Sequence, residues 1–128
     1  MKGPNAVIRQ IDHVVLTVRD IDRAADFYSA VLGMRVETFA GGRKALHFGT
    51  QKINLQTLGQ ETRNHACIGS GDLCLITDMT PQDLLEHLAL RGVSITEGPV
   101  AKTGARGPIT SIYFNDPDGN LIEVSSYD

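Results

Sequence analysis

The sequence predicts an α+β fold made of two βαβββ modules, at residues 8–58 and 72–128. Strand-like and helix-like segments follow one another in the same order in each half. In addition, the distance in sequence from His13 to Gly33 equals that from Asp72 to Gly92. The composition agrees with this prediction, because 41% hydrophobic and 21% charged residues are ordinary values for a globular domain. We therefore expect a single domain over residues 1–128.

The first module starts with a β-branched run, IDHVVLTV, within residues 8–18, which is typical of a strand. A helix follows, because apolar residues recur at helical spacing between a capping Asp20 or Asp22 and a terminating Gly33. These apolar positions are Ala24, Phe27, Tyr28, Val31 and Leu32. Three strands complete the module, in MRVETF, KALHFG and KINLQTL, with a turn at Gly41 and Gly42 between the first two.

The second module follows a polar connector at residues 59–71 and repeats this order. DLCLITD predicts a buried strand, and TPQDLLEHLALRG predicts a helix with Thr80 as cap, Pro81 in the first position and Gly92 at the end. Strands are expected in VSITEGPV, SIYFND and NLIEVSSY, the last two joined by a turn at residues 116–119. Residues 101–108 are expected to form a loop.

Charge and cysteine content exclude several classes of function. The net charge is −3 and the basic residues form no stripe, which argues against nucleic acid as a partner. The first ten residues, MKGPNAVIRQ, contain no long apolar run, so we expect neither a signal peptide nor a membrane anchor. The two cysteines lack CxxC spacing, which favours reduced thiols in a cytoplasmic protein. A small molecule is the expected partner.

Alignment of the two modules selects four polar residues in otherwise apolar strands. His13 and Asp72 open the first strands, whereas Asn54 and Glu123 lie within the last strands. Charged side chains on a buried face are costly unless they are paired or bind a cation. A single histidine or glutamate in a strand is more often structural, but equivalent positions in both modules favour a metal-binding pocket. Gln56 and Cys74 are expected on the same face, as pocket lining or as ordinary core, and His47 is expected to be structural.

Two segments, IDHVVLTVRDIDRAADFYSAVLGM and SIYFNDPDGNLIEVS, resemble the opening and closing motifs of the vicinal oxygen chelate superfamily. That superfamily includes glyoxalase I, fosfomycin-resistance thiol transferases, bleomycin-binding proteins and extradiol dioxygenases. The resemblance covers residues 8–127. More narrowly, RKALHFGTQKINL and EGPVAKTGARGPITSIYFNDPDGNLIEVS resemble the glyoxalase-domain-containing protein five group and its virulence-associated, lactoylglutathione lyase-like bacterial relatives.

The resemblance implies a pair of glyoxalase-like half-barrels around one divalent ion, which is Zn, Ni, Mn or Fe. It implies the metal ligands His13, Asp72 and Glu123, although Asp72 replaces a common histidine. Asn54 replaces a glutamate of glyoxalase I and cannot act as a base, so Glu123 is the expected catalytic residue. Expected contacts with the substrate come from Asn54, Gln56, Tyr113, Lys102 and Arg106.

The sequence is compatible with several functions. The first is a metal-dependent lyase or isomerase of glyoxalase type that acts on a small oxygen-chelating substrate. The alternatives are a non-catalytic protein that binds an antibiotic or another small molecule, an Fe(II) extradiol dioxygenase, and a thiol transferase acting on an epoxide antibiotic. Open sheet edges and apolar faces predict a homodimer. The sequence leaves open whether the pocket lies within one chain or between two, and which substrate it binds.

Overall fold

The computed structural model describes residues 7–128, so the prediction for the first ten residues falls partly outside the described residues. The first module contains β1 (His13–Val18), α1 (Ile21–Leu32), β2 (Arg35–Phe39), a 3-10 turn (Ala40–Gly42), β3 (Arg43–Phe48) and β4 (Gln51–Thr57). The second contains β5 (Asp72–Ile76), α2 (Pro81–Leu90), β6 (Glu97–Gly104), β7 (Gly107–Asn115) and β8 (Leu121–Tyr127). The predicted α+β architecture of paired βαβββ modules is confirmed.

Each module forms one four-stranded mixed sheet with the same topology. Sheet A has the strand order β1-β4-β3-β2 and sheet B the order β5-β8-β7-β6. The first and last strands of each module pair in parallel, and the remaining pairs are antiparallel. The registers correspond, since Val15 pairs with Asn54 in sheet A and Cys74 with Glu123 in sheet B. The module alignment made from the sequence is therefore the alignment of the two sheets.

Both helices have the expected caps and cover one face of the sheets. The Asp20 side chain, not that of Asp22, accepts a hydrogen bond from the backbone N–H of Arg23. Gly33 ends α1 with a φ of 66°, a left-handed conformation that glycine adopts at little cost. Thr80 caps α2 through the N–H of Asp83. The buried apolar residues of both modules form one core cluster, which includes Leu16, Tyr28, Leu46, Ile53, Leu88, Ile112, Phe114 and Ile122.

The predicted turn at residues 116–119 joins the two modules. The Tyr28 hydroxyl of α1 donates a hydrogen bond to Asp116 Oδ2 at 2.7 Å, and both residues are buried. Asp116 Oδ2 also accepts from Asn120 Nδ2, while its Oδ1 accepts from the backbone N–H groups of Asp118 and Asn120. Burial and the Asp116 carboxylate together raise the pKa of Tyr28, so this phenol stays protonated. The turn therefore fixes the first helix against the second sheet.

Three local predictions were wrong. The strand expected over residues 93–100 begins at Glu97, and the loop expected over residues 101–108 is instead a hairpin whose arms belong to β6 and β7. Cys74 is exposed rather than buried, because β5 is an edge strand and this side chain points away from the core. The strand predicted in IDHVVLTV is β1, which begins at His13, the third residue of that run. In residues 7–128, no helix has the length and apolar character needed to cross a membrane.

Candidate functional site

Each sheet has one face turned away from its helices, which we call the site face. Because side chains alternate along a strand, directly paired residues and their i+2 neighbours share a face. The central row of sheet A contains Val15, Asn54, Ala45 and Glu37. The corresponding row of sheet B contains Cys74, Glu123, Tyr113 and Glu97. Asn54 and Glu123 thus occupy equivalent places, as do His13 and Asp72 at the starts of the edge strands.

Glu123 is held on the site face of sheet B by two serines. Ser111 Oγ donates a hydrogen bond to Glu123 Oε2 at 2.6 Å, and Ser125 Oγ donates to the same oxygen at 3.4 Å. The two serine hydroxyls are also 2.7 Å apart, and both residues are fully buried. This arrangement fixes one carboxylate oxygen of Glu123 and leaves Oε1 to contact a ligand.

Tyr113 and Cys74 flank Glu123 in the central row. Partial burial and the neighbouring Glu123 carboxylate raise the pKa of Tyr113 to about 12, so its hydroxyl can donate a hydrogen bond at neutral pH. Burial also raises the pKa of the Cys74 thiol, and the charges of Glu123 and Asp72 add to this rise. Lys102 Nζ lies 5.7 Å from the centre of the Tyr113 ring, on the same face. The structure therefore brings Asp72, Glu123, Tyr113 and Lys102 to one face of sheet B.

The site face of sheet A carries His13, Asn54 and Gln56. His13 Nδ1 lies 2.7 Å from Asp12 Oδ1, which leaves Nε2 available to a ligand. Asn54 is only 5% exposed, yet its Oδ1 has no hydrogen-bond partner in the described part of the chain. Gln56 is also buried, but its amide donates to Thr17 Oγ1 at 2.9 Å. His13 and Asn54 are therefore free to bind a ligand, whereas Gln56 is partly satisfied by the protein.

One chain does not gather all the predicted metal ligands. Within residues 7–128, no three His, Cys, Asp or Glu side chains lie close enough to hold one ion. His13 lines a cavity of about 110 Å³ between β1 and β5 together with Cys74, but neither Asp72 nor Glu123 lines it. Arg106 also lies apart, because its guanidinium stacks 4.2 Å above the Tyr127 ring in the β6–β7 hairpin. The expected pocket is therefore divided between the two sheets.

Two features of the site were missed by reasoning from sequence. Ser111 lies in a strand without any charge or motif that marks it, although its spacing from Tyr113 matches that of Ser125 from Glu123. Arg43 and His47 on sheet A each have a buried nitrogen without a hydrogen-bond partner in the described region. His47 Nε2 does approach Glu37 Oε1 to 3.4 Å, but without hydrogen-bond geometry. His47 therefore has a nitrogen available to a ligand, and its structural role stays a prediction.

Comparison with known proteins assigns the family. The model of the glyoxalase/bleomycin resistance protein/dioxygenase superfamily matches residues 10–124. The chain belongs to this superfamily. Within it, the chain is 50% identical to glyoxalase domain-containing protein RDO1 of Mycosarcoma maydis, across 94% of this chain and 69% of that protein. It is 51% identical to virulence protein STM3117 of Salmonella typhimurium, across 94% and 86% of the respective chains.

Solved structures share the fold of this chain. An integron cassette protein from V. cholerae is 53% identical, with a TM-score of 0.91 over 96% of this chain and 98% of its own. Lactoylglutathione lyase from Agrobacterium tumefaciens covers 97% and 95%, with a TM-score of 0.72 at 22% identity. TnmS3, an antibiotic binding protein from Streptomyces sp. CB03234, covers 97% and 100%, with a TM-score of 0.76 at 22% identity. The last two similarities concern the fold alone.

The donor atoms present fit the divalent metal that this superfamily generally uses. Imidazole and carboxylate are suitable ligands for Zn, Ni, Mn and Fe. His13 is oriented by a carboxylate, and Glu123 is oriented by hydroxyls, as is usual for residues that bind a metal. The residues needed for a metal site are thus present, distributed over two sheets.

Proposed function

We propose that the protein is a divalent-metal-dependent lyase or isomerase of glyoxalase type, acting on a small substrate with two neighbouring oxygen atoms. The observation that carries the proposal is the pair of carboxylates Asp72 and Glu123 on one sheet face. Neither forms an ion pair within residues 7–128. Both charges act on the Cys74 thiol, which lies beside them. A cation at this face would balance two otherwise uncompensated charges.

In this proposal, His13, Asp72 and Glu123 hold the metal. When bound, the ion would attract the two oxygens of the substrate and stabilise negative charge that develops on them. Glu123 accepts or returns the proton, because Asn54 at the equivalent place has no basic group. The Tyr113 hydroxyl, protonated at neutral pH, donates a hydrogen bond to the substrate.

We infer further that two copies of the chain complete the site. His13 lies on the site face of sheet A, whereas Asp72 and Glu123 lie on that of sheet B. The two faces also expose apolar residues, with Val15 at 41% and Ile76 at 52% exposure. Burial of these side chains against a second copy would favour a homodimer in which sheet A of one chain faces sheet B of the other.

Metal analysis tests the proposed enzyme. Protein purified without chelator is expected to contain about one equivalent of divalent metal per chain, measured by inductively coupled plasma mass spectrometry. His13→Ala should lose most of it, whereas His65→Ala, an exposed histidine in the connector, should retain it. Wild-type protein that holds less than about a tenth of an equivalent, and gains none from added Ni, Zn, Mn or Fe, would contradict the proposal.

A second candidate is a non-catalytic binding protein. The observation that favours it is Asn54, because of the two equivalent positions 54 and 123 only Glu123 carries a carboxylate that could act as a base. An antibiotic-binding protein also shares the fold. Glu123→Gln separates the candidates in a titration with a tightly bound ligand. If the protein only binds its ligand, the variant keeps the affinity of the wild type and neither form shows turnover. If the protein is the proposed enzyme, the variant loses the turnover that the wild type shows.

A further inference from the structure

The site face of sheet A carries an excess of basic side chains. Arg35, His47, Lys52 and His13 form one row across the sheet, and the pair of Arg43 and Phe39 lies on the same face, four residues away along β3 and β2. Three cations, Arg35, Arg43 and Lys52, share this face with one carboxylate, Glu37. Glu37 is engaged by Arg35, whose Nη1 is 2.9 Å from its Oε2.

Arg43 and Lys52 form no ion pair within residues 7–128, although the charge of Lys52 helps to lower the pKa values of the nearby Asp12 and Glu37. Both cations lie over the Phe39 ring, with Lys52 Nζ at 4.1 Å and the Arg43 guanidinium carbon at 5.2 Å from its centre. The aromatic ring holds the two positive groups close together without neutralising them. Asp12 lies at the edge of this region, paired with His13, and its pKa is lowered mainly by that contact.

The polar atoms without a partner are concentrated at the same place. Three buried atoms in residues 7–128 lack a hydrogen bond, namely Arg43 Nε, His47 Nε2 and Asn54 Oδ1. All three belong to the site face of sheet A. Buried polar atoms are nearly always satisfied, so exceptions that cluster on one face indicate a missing ligand. Arg43 Nε donates to an anion, whereas Asn54 Oδ1 requires a donor such as a hydroxyl group.

We propose that this face binds a small organic acid, with carboxylate oxygens against Arg43 and Lys52 and a neighbouring hydroxyl group against Asn54. The support for an anion site comes from the geometry of sheet A alone. Its role as the substrate site rests on the proposed function, in which Asp72 and Glu123 of sheet B hold the metal together with His13 of sheet A. The substrate then lies between a cationic and an anionic face, and it is a hydroxy acid rather than a neutral molecule.

Titration of metal-free protein with malonate, hydroxymalonate and glycerol, followed by NMR of ¹⁵N-labelled chain at constant ionic strength, tests the site. Malonate should shift amides of β3 and β4, and glycerol should not. Hydroxymalonate should bind more tightly than malonate, and Asn54→Ala should remove that difference. Arg43→Met and Lys52→Met should each weaken malonate binding about tenfold. Arg63→Met, an equal change of charge in the exposed connector, should not.

Arg43→Lys keeps the positive charge at this position and is expected to bind malonate better than Arg43→Met. This comparison separates a loss of binding from a folding defect caused by replacing Arg43. Three results would overturn the site: no shift with malonate in the wild type, an equal effect of Arg63→Met, or loss of binding only in Arg106→Met at the hairpin. Metal content is measured separately. Malonate binding by a chain that takes up no metal would retain the anion site and reject the proposed enzyme.

Discussion

The site faces of sheets A and B occupy equivalent places in two copies of one module, yet they carry opposite charge. Sheet A presents Arg43, Lys52 and His13, whereas sheet B presents Asp72, Glu97 and Glu123. The strand order and the register of the central strands are shared, so the difference in charge comes from the side chains. One scaffold can therefore supply two halves of a site, one suited to an anion and the other to a cation.

The largest expected effect is a loss of cation binding at the acidic face of sheet B. Glu123→Gln removes one charge but keeps the size of the side chain, so we expect the affinity for Zn²⁺ to fall by at least about a hundredfold. Competition with a chromogenic chelator measures it. Glu97→Gln is the matched control, because Glu97 lies in the same row beside Tyr113. Equal losses in the two variants would show that only the total charge of the face matters.

The serine support of Glu123 has no equivalent on sheet A and provides a smaller test. Ser111→Ala removes the 2.6 Å hydrogen bond to the carboxylate, so metal affinity should fall about tenfold. Ser125→Ala removes a longer contact of 3.4 Å and should cost less. The same chelator competition measures both variants. The reverse order, or no effect of either, would remove the proposed positioning role of Ser111.

The buried hydrogen bond between Tyr28 of α1 and Asp116 joins the two modules. Tyr28→Phe leaves the buried Asp116 carboxylate without one of its donors and should lower the free energy of unfolding by about 1–3 kcal/mol. Urea denaturation measures it. Tyr127→Phe removes a hydroxyl that accepts from the backbone N–H of Arg106 at the surface, and it should cost less than about 0.5 kcal/mol. Equal costs would contradict the joining role of this contact.

The smallest effect concerns the thiol of Cys74 beside the acidic face. The Glu123 carboxylate disfavours the thiolate, so Glu123→Gln in a metal-free Cys67→Ser background should lower the pKa of Cys74. The pH dependence of alkylation by iodoacetamide measures it, and reaction of the variant should begin at lower pH. An unchanged or raised pKa would place the carboxylate too far from the thiol.

Sequence patterning was sufficient for the module order and for the equivalence of His13 with Asp72 and of Asn54 with Glu123. It failed at β6, because this edge strand buries no continuous apolar face and its sequence, EGPVAKTG, has the composition of a loop. The exposure of Cys74 was missed for a related reason, since an apolar run does not reveal that an edge strand leaves one side uncovered. Ser111 and Arg43 could not be found, because their roles depend on pairing across strands.

In the proposed dimer, the site face of sheet A in one chain meets the site face of sheet B in the other. A heterodimer tests this arrangement most directly. His13→Ala and Glu123→Gln chains carrying different tags are coexpressed, and the mixed dimer is purified through both tags. One of its two sites would combine an unaltered sheet A with an unaltered sheet B. We predict about one tightly bound metal ion per mixed dimer and almost none in either variant homodimer. A mixed dimer that binds no more metal than the homodimers would contradict the claim.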